Sequence, residues 1–255
     1  MIFDCHIHTS ISHDSEMQLD AAMQAAESLG LGMIFTEHID YDFPGGDYLF
    51  SPEEYFKTYE KYRSDRLLLG VELGMHEEGL ERNLAFSKTG PFDFVLGSLH
   101  VLQGKDLYDQ ASYQGYTKES LYTEYFEIMA LCLRQHDFID ALGHIDYISR
   151  YAPFKEPEVY YHEFVGPMEQ VFKTAVDMGT VLEINTRRFT NRSAVKALVP
   201  VYKAYAACGG KYVTIGSDAH TAPAIGGSFA QAVELAEACD LKPVYFKNRK
   251  MEYMK

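Results

Sequence analysis

The sequence predicts an α/β fold in which seven βα units form a closed relative of the (β/α)8 barrel. Short apolar runs rich in β-branched and aromatic residues alternate with segments of helical periodicity along the whole chain. A residue that can bind a metal ion stands at the end of most apolar runs, and only a closed ring brings all of these strand ends together. A doubly wound sheet shows the same alternation, but its site gathers at one switch point between strands.

The predicted strands are seven apolar runs, which are, in chain order, MIFDCHIH, GMIFTEH, LLLGVELG, FDFVLGSLH, FIDALGHID, TVLEINT and KYVTIGSDAH. Seven helical segments follow them: LDAAMQAAESLG, PEEYFKTYEKYR, EEGLERNLAFSK, KESLYTEYFEIMALCLRQ, YHEFVGPMEQVFKTAVDMG, SAVKALVPVYKAYAACG and SFAQAVELAEACD. Gly30, Gly179 and Gly209 end three of these helices just before the next strand, as C-terminal helix caps do.

The spacing of polar residues at the strand ends supports a repeated βα unit. Five of them are 28 to 44 residues apart, close to a βα repeat of about 30 or more residues. They are Glu72, His100, His144, Glu183 and Asp218. The site of such a barrel lies at the C-terminal ends of its strands. Residues 39–52 and 101–117 are irregular and would lie over that face, either as ordinary surface loops or as parts of a substrate site.

Length and composition favour a single domain over residues 1–255. The chain has 255 residues, of which 47% are hydrophobic, and α/β barrels of this length commonly form one domain. The balance of 23 basic and 37 acidic side chains gives a net charge of −14, with no basic arm, which argues against long nucleic acids as partners. A small phosphorylated substrate remains compatible, because bound cations can create a local positive field.

The four cysteines are far apart and include no CxxC pair, so they predict buried thiols in a reducing cytoplasm rather than a zinc knuckle or a disulfide framework. The start, MIFDCHIH, lacks the basic region of a signal peptide, and no run of about 18 apolar residues occurs. We therefore expect a cytoplasmic protein without a membrane partner. The sequence does not determine the oligomeric state.

The first predicted strand carries a metal-binding signal. His6 and His8 are two residues apart on a strand, so both should point to one face while Cys5 and Ile7 point to the other. A lone strand histidine is more often a satisfied polar residue, but His-x-His at a strand end is typical of a metal site. The sequence GSDAH after the last strand repeats this spacing, and the two pairs should become neighbours when the ring closes.

Further candidate ligands stand at the ends of the other strands, in TEH, GVE, SLH and GH. His13 lies in a polar loop, where a solvent-exposed histidine, or Asp14 in its place, is a near-equal alternative. The predicted ligands are His6, His8, His13, His38, Glu72, His100, His144, Asp218 and His220. Three neighbouring carboxylates either orient imidazole N–H groups or are plain surface carboxylates. They are Asp4, Glu37 and Asp146.

More than one metal ion is predicted, because nine ligands exceed the four of a tetrahedral zinc site and carboxylates such as Glu72 and Asp218 suit bridging. Two ions about 3.5–4 Å apart lower the pKa of a shared water towards about 7 and can hold both oxygens of a phosphoryl transfer. The mixture of nitrogen and oxygen ligands suits zinc, manganese and iron alike.

The ordered set of motifs resembles the PHP (polymerase and histidinol phosphatase) family. A DxHxH string and a further histidine are followed by TEH, GVE, SLH, GH and SDAH, which together cover nearly the whole chain. Within that family, DCHIHTSISHDS, FTEH and LEINT look most like the histidinol-phosphate phosphatases. The resemblance implies a distorted (β/α)7 barrel, with two or three zinc, manganese or iron ions bound by the nine predicted ligands at the C-terminal ends of the strands.

A phosphomonoester dianion needs donors besides metal ions, and the planar fork of arginine suits phosphate oxygens. Arg150 follows the strand that ends in GH, and Arg187, Arg188 and Arg192 follow LEINT. We predict that phosphate is bound by at least one of Arg150, Arg188 and Arg192. For any single arginine, a solvated cation or an ion pair with a carboxylate is the alternative.

These observations predict a metal-dependent phosphomonoesterase, and the resemblance implies that it converts L-histidinol phosphate to L-histidinol and phosphate in histidine biosynthesis. Asp218 or His220 would help to protonate the leaving alkoxide. One alternative is a phosphatase for another small substrate, such as a nucleotide, a sugar phosphate or phosphotyrosine. A second is a metal-binding module without turnover.

Overall fold

Strands and helices alternate along the computed structural model, which describes residues 1–254. The strands of this part of the chain are β1 (Phe3–Ile7), β2 (Gly32–Ile39), β3 (Leu67–Gly74), β4 (Phe94–Ser98), β5 (Val101–Leu102), β6 (Lys105–Asp106), β7 (Ala141–Leu142), β8 (Val181–Asn185), β9 (Tyr212–Gly216), β10 (Lys242–Lys247) and β11 (Lys250–Tyr253). Each of the seven predicted strands contains one of β1–β4 and β7–β9, except that β2 runs one residue beyond its predicted end.

Each predicted helical segment also contains one α-helix, except that α6 begins one residue before its predicted start. The helices are α1 (Leu19–Ser28), α2 (Pro52–Tyr59), α3 (Leu80–Ser87), α4 (Lys118–Gln135), α5 (Val165–Met178), α6 (Arg192–Ala207) and α7 (Phe229–Ala238). Gly179 caps α5 in the left-handed conformation, with φ of 75°. The amide of Thr180 then donates to the carbonyl of Ala175 over 2.9 Å, which satisfies one of the carbonyls left free at the helix end.

Seven parallel strands form a ring, as predicted. Their order is β1-β2-β3-β4-β7-β8-β9, so each strand pairs with the next one in the chain, apart from the small β5–β6 hairpin. The ring closes where Ile7 and Ala219 form a parallel bridge between the ends of β1 and β9. The amide of His8 donates to the carbonyl of Ala219 over 2.9 Å at this closure. All seven C-terminal strand ends therefore lie on one face of the ring.

Apolar side chains fill the N-terminal half of the ring. Ile34 and Leu68 lie an even number of residues before the predicted ligands on β2 and β3, so they share the inner face with those ligands. Both belong to a buried cluster that collects side chains from around the ring. The ring interior is thus an apolar core at one end and a polar site at the other.

The geometry of β1 differs from the prediction because the strand contains a β-bulge. The register with β2 shifts between Asp4 and Ile7, so the strict alternation of faces fails there. Cys5 packs in the inner apolar cluster, whereas Ile7 packs in the outer core beneath the helices. Cys5 and Ile7 therefore do not share a face, contrary to the prediction, although His6 and His8 still point into the same site.

The C-terminal hairpin of β10 and β11 closes the N-terminal end of the ring and was not predicted. β10 pairs with the start of β9, β11 runs antiparallel to it, and Phe246 joins the inner apolar cluster. Asn248 and Arg249 form the turn with φ of 51° and 62°, the two positive values of a type I′ hairpin. The signal was the alternating VYF-KNRK-MEY segment, which follows the last predicted helix.

No helix among residues 1–254 combines the length and apolar character that a membrane crossing needs.

Candidate metal centre

Glu72, near the end of β3, is the centre of a ring of imidazoles. Its carboxylate is fully buried, and its Cα lies opposite that of His38 in the β2–β3 register. Its two oxygens lie 3.0–3.4 Å from ring nitrogens of five histidines, which are His6, His8, His38, His100 and His144. Together with Glu72, these histidines come from five strand ends, so the ring closure brings the predicted ligands together.

Asp218 adds a second carboxylate beside β1. Its Oδ1 lies 3.9 Å from Nε2 of His6 and 3.7 Å from Nε2 of His8. The residue has φ of 54°, a left-handed value that aspartate tolerates better than most side chains. The ring of His220 lies beside that of His8, with centroids 4.3 Å apart and an angle of 31° between the ring planes. The two spaced pairs are thus neighbours, as the predicted closure requires.

The donor atoms at the centre of the site are arranged to bind divalent cations rather than to form hydrogen bonds with one another. Nε2 of His6, Nε2 of His8 and Oε2 of Glu72 are buried and have no hydrogen-bond partner among the described residues, although the two nitrogens lie 3.2 and 3.4 Å from that oxygen. Lone pairs that face one another at this distance require a positive charge between them. Imidazole and carboxylate donors are the ligands that zinc, manganese and iron accept.

Three groups of donors can each hold an ion, since their ligand atoms lie within 4.8 Å of one another. The groups are His8, His38 and His220; His6, His8 and Asp218; and His38, Glu72 and His100. His8 and His38 each belong to two groups, so the possible sites adjoin. His144 lies beside the third group, with its Nε2 3.1 Å from Oε1 of Glu72. The arrangement therefore can bind several ions in one cluster.

The electrostatics of the buried charges point the same way. Burial alone would lower the pKa of His6, but Glu72 and Glu183 raise it well above its usual value. Burial would likewise raise the pKa of Glu72, but His6 and His38 hold it well below its usual range. The buried carboxylates thus require nearby positive charge to stay ionised, and either protons on the imidazoles or metal ions can supply it. Metal binding is therefore coupled to proton release.

Three residues that were not predicted as site residues orient the imidazoles. Nδ1 of His6 lies 2.7 Å from Oε1 of Glu183, and Nδ1 of His100 lies 2.8 Å from Oδ1 of Asp40. Ser12 fulfils the same role for another ring, with its Oγ 3.2 Å from Nδ1 of His8. Such partners fix the tautomer and the direction of a metal-binding ring. The available signals were the acidic residues in LEINT and after TEHI, both at strand ends.

The carboxylates proposed for this orienting role bind elsewhere. Oδ2 of Asp4 accepts hydrogen bonds from Oγ of Ser217 over 2.5 Å and from the amide of Gly226 over 2.9 Å. Asp146 is paired with Arg188 over 2.9 Å. Both are buried, so neither the ring-orienting role nor the surface alternative describes them.

Glu37 does not contact an imidazole directly but acts through Ser12. Its carboxylate accepts hydrogen bonds from the hydroxyls of Thr9 over 2.5 Å and Ser12 over 2.6 Å. Ser12 in turn contacts His8. Glu37 therefore orders the loop after β1 rather than touching a ring, and it is buried rather than at the surface.

His13 lies at the rim of the cluster rather than among the donors. Its ring stacks on Tyr48 with centroids 3.5 Å apart and lies 5.6 Å from the ring of His38. The neighbouring Asp14 approaches the donors more closely, since its Oδ2 lies 2.9 Å from Nε2 of His220 and 3.6 Å from Nε2 of His38. The alternative that Asp14 takes the place of His13 therefore has the better geometry.

The arginines divide between the site and its surroundings. Arg150 lines the cavity above the donors, with its Nη1 2.8 Å from Oδ2 of Asp218. Arg187 lines it too, donates to the carbonyl of Asp218 and lies 2.9 Å from Nδ1 of His220. Both present guanidinium groups where a phosphoryl group would approach the donors.

Arg188 and Arg192, which were also predicted to bind phosphate, do not line this cavity. Arg188 points away and pairs with Asp146 and Glu158, over 2.9 and 2.8 Å. Arg192 is exposed at the start of α6, beside a groove between α6 and α7. The reason is the path of the loop after β8, which turns only the first of its arginines back over the site. Arg187 therefore replaces both as a candidate.

The cavity has a volume of about 390 Å³ and opens over the donor cluster. The loops predicted to cover the site do contribute to it, through Phe43 and Tyr48 from one and Asp106 and Tyr108 from the other. The volume lies within the range of about 300–1,000 Å³ that is usual for small-molecule sites. The site can thus hold a small organic phosphate.

Residues 4–187 match the PHP domain family. A probable histidinol-phosphatase of Clostridium acetobutylicum is 47% identical over 254 residues, which cover 99% of this chain and 100% of that protein. A histidinol-phosphatase of Lactococcus lactis is 28% identical over 226 residues, 86% of this chain and 84% of the relative.

A solved structure shares the whole architecture. The crystal structure of histidinol phosphate phosphatase from Lactococcus lactis, complexed with zinc, L-histidinol and phosphate, superposes with a TM-score of 0.91. The two chains are 27% identical, and the match covers 98% of each.

Proposed function

This chain belongs to the PHP domain family, and we propose that it hydrolyses L-histidinol phosphate to L-histidinol and phosphate. It is a metal-dependent phosphoric monoester hydrolase, as the sequence motifs predicted. The observation that carries the proposal is the convergence of imidazole and carboxylate donors on Glu72, directly beneath a cavity that two arginines line.

The metal ligands we propose are His6, His8, His38, Glu72, His100, His144, Asp218 and His220, with either His13 or Asp14 at the rim. Two or three divalent ions bound there would supply the nucleophile from water at neutral pH and offset the negative charge of the phosphoryl oxygens.

Arg150 and Arg187 would bind and orient the phosphoryl group. Both line the cavity on the side of Asp218, and a planar guanidinium can donate two parallel hydrogen bonds to phosphate oxygens. Holding the phosphorus in line with the attacking oxygen lowers the activation barrier, because the translational and rotational entropy of the reactants is already lost when the substrate binds. The same groups stabilise charge that develops on the equatorial oxygens in the transition state.

His220 is the better candidate for protonating the leaving alkoxide. Asp218 was proposed equally, but its carboxylate is buried against Arg150 at 2.8 Å and stays ionised, which suits a ligand and not an acid. His220 is partly exposed in the cavity, and its Nε2 is held 2.9 Å from Oδ2 of Asp14. A free imidazole in this position can pass a proton from solvent to the departing oxygen, so the roles of His220 as acid and as metal ligand are alternatives.

The remaining expectations fit this function. A single domain over residues 1–255, a cytoplasmic location and the absence of long nucleic acid or membrane partners suit an enzyme that acts on a small soluble phosphate ester. The net charge of −14 supports the argument against nucleic acid.

Phosphate release from a panel of esters tests the proposal. Metal-replete protein should hydrolyse L-histidinol phosphate with kcat/KM at least about 100-fold above that for a nucleotide, a sugar phosphate and phosphotyrosine. His8→Ala should lose both turnover and bound metal, whereas His162→Ala, which changes an exposed histidine, should lose neither. Equal rates across the panel would favour a broad phosphatase, and no release from any ester would favour a metal-binding module.

A further inference from the structure

Asp106 occupies a defined place beside the metal donors. It ends β6 in the β5–β6 hairpin, where its Cα pairs with that of Val101, the residue that follows His100. The amide of Leu107 donates to the carbonyl of His100 over 3.1 Å. The hairpin is thus tied at both ends to a ligand strand, and the Asp106 side chain lines the cavity above the donors.

Asp106 differs from the other carboxylates of the cavity wall in having no basic partner. The other three each have one within 2.9 Å: Asp14 with His220, Asp40 with His100, and Asp218 with Arg150. Oδ1 of Asp106 accepts only the amide of Tyr108, over 2.8 Å, and no basic side chain among residues 1–254 lies within ion-pair distance of it. Partial burial raises its pKa, so a cationic ligand would relieve the cost of its ionisation.

Aromatic rings border this carboxylate. Tyr108 is 63% exposed and stands at the opening of the cavity, with its ring edge-on to that of Tyr151 at 4.6 Å. The ring of Tyr147 lies 5.9 Å from that of Tyr151 and lines the same wall. Aromatic faces attract organic cations and stack on flat heterocycles. An exposed tyrosine beside an unpaired carboxylate therefore suits an organic ligand with a cationic nitrogen.

From these observations we propose that Asp106 binds the ammonium group of the substrate alcohol, while Tyr108 and Tyr151 pack against its ring. The cavity then selects phosphomonoesters whose alcohol carries a primary amine close to the ester oxygen. This inference rests on the proposed function and names the group that distinguishes the preferred ester from other phosphates. Asp106 contributes to substrate affinity and selectivity, and Arg150 and the metal donors act on the phosphoryl end.

Two esters that differ only in the amine test the proposal. L-Histidinol phosphate is compared with its deamino analogue, 3-(imidazol-4-yl)propyl phosphate, on wild type, Asp106→Asn and Asp109→Asn. Asparagine keeps the acceptor for the Tyr108 amide but removes the charge, and Asp109 is an exposed neighbour that only caps Ala111. The wild-type preference for the amine should fall about 10- to 100-fold in Asp106→Asn and stay within about twofold in Asp109→Asn.

Calorimetric binding of L-histidinol to the metal-loaded proteins separates this proposal from the phosphatase assignment. Asp106→Asn should weaken the binding by a similar factor, whether or not the protein hydrolyses esters. Weaker binding together with no hydrolysis by wild type would support the amine site and overturn the phosphatase. Normal hydrolysis with the same amine preference in wild type and Asp106→Asn would overturn the amine site and leave the phosphatase intact.

Discussion

Nη1 of Arg150 lies 2.8 Å from Oδ2 of Asp218, and only 11% and 4% of the two side chains are exposed. The pair joins a candidate phosphate-binding group to a candidate metal ligand. Arg150 also lies over the ring of Tyr147, with its guanidinium carbon 4.9 Å from the ring centroid. These contacts hold the guanidinium in place before a substrate arrives.

Replacement of Arg150 should therefore impair catalysis more than metal binding. Arg150→Met should lower kcat/KM about 100- to 1,000-fold, because the charge that stabilises the phosphoryl group is lost. Arg150→Lys keeps the charge without the planar fork and should still lose about tenfold. Steady-state assays with metal analysis check both variants. Full activity in Arg150→Met would remove Arg150 from the site.

Arg188 should matter for stability instead. It bridges Asp146 and Glu158, whose side chains are 8% and 6% exposed, and its own is 13% exposed. Arg188→Met leaves two buried carboxylates unpaired and should lower the free energy of unfolding by about 3–5 kcal/mol. Arg192→Met, at an exposed position, should change it by less than about 0.5 kcal/mol. Urea unfolding measures both, and equal effects would contradict the assignment.

Asp40 should tune the metal centre through His100. Its Oδ1 lies 2.8 Å from Nδ1 of that ring, so Asp40→Asn weakens the hydrogen bond that orients the ligand. We expect metal affinity or activity to fall about 10- to 100-fold. Asp47→Asn, an exposed carboxylate in the same loop, serves as the control. Competition with a chelator gives the affinities, and equal values for the two variants would rule out the orienting role.

His136 should make stability depend on pH. Its Nδ1 lies 2.9 Å from the carbonyl of Cys132 and must donate, while its Nε2 lies 3.2 Å from Nδ2 of Asn83 and must accept. Burial lowers its pKa below the usual 6.5, so the folded state holds the neutral ring. The unfolded chain then binds the proton more readily, and the stability contributed above pH 6.5 is lost as the pH falls.

The measurement is urea unfolding of wild type and His136→Gln at pH 7.5 and 5.5. Wild type should lose more stability than the variant, by at most about 1.4 kcal/mol, the linkage limit for one group one pH unit below its unfolded pKa. The pH dependence of the metal centre is common to both proteins and cancels in the comparison. Equal losses would show that the ring is not held neutral.

Periodicity made the ring and most of the donors predictable. Strands such as Leu67–Gly74 coincide with their apolar runs because parallel strands buried on both faces read as continuous hydrophobic sequence. Because the parallel strands of a closed ring all end on one face, the polar residues at these ends are expected to lie together. The family resemblance agrees with the match to residues 4–187.

The errors arise where side-chain direction depends on irregular backbone. The bulge between Asp4 and Ile7 interrupts the alternation of side chains between the two faces of β1, and the local sequence does not predict this bulge. The loop after β8 decides which arginine turns inward, and adjacent residues such as Arg187 and Arg188 point in different directions there. Asp40 and Glu183 were missed because an acidic residue at a strand end can be a ligand, a partner of a ligand or neither until its neighbours in space are known.

Turnover should depend on several metal ions held around Glu72. Protein stripped with a chelator and reloaded with zinc in steps should be assayed for phosphate release from L-histidinol phosphate, with bound metal counted by elemental analysis. We expect no turnover in stripped protein and full turnover only with two or more ions per chain. Full turnover by metal-free protein, or at less than one ion per chain, would contradict it.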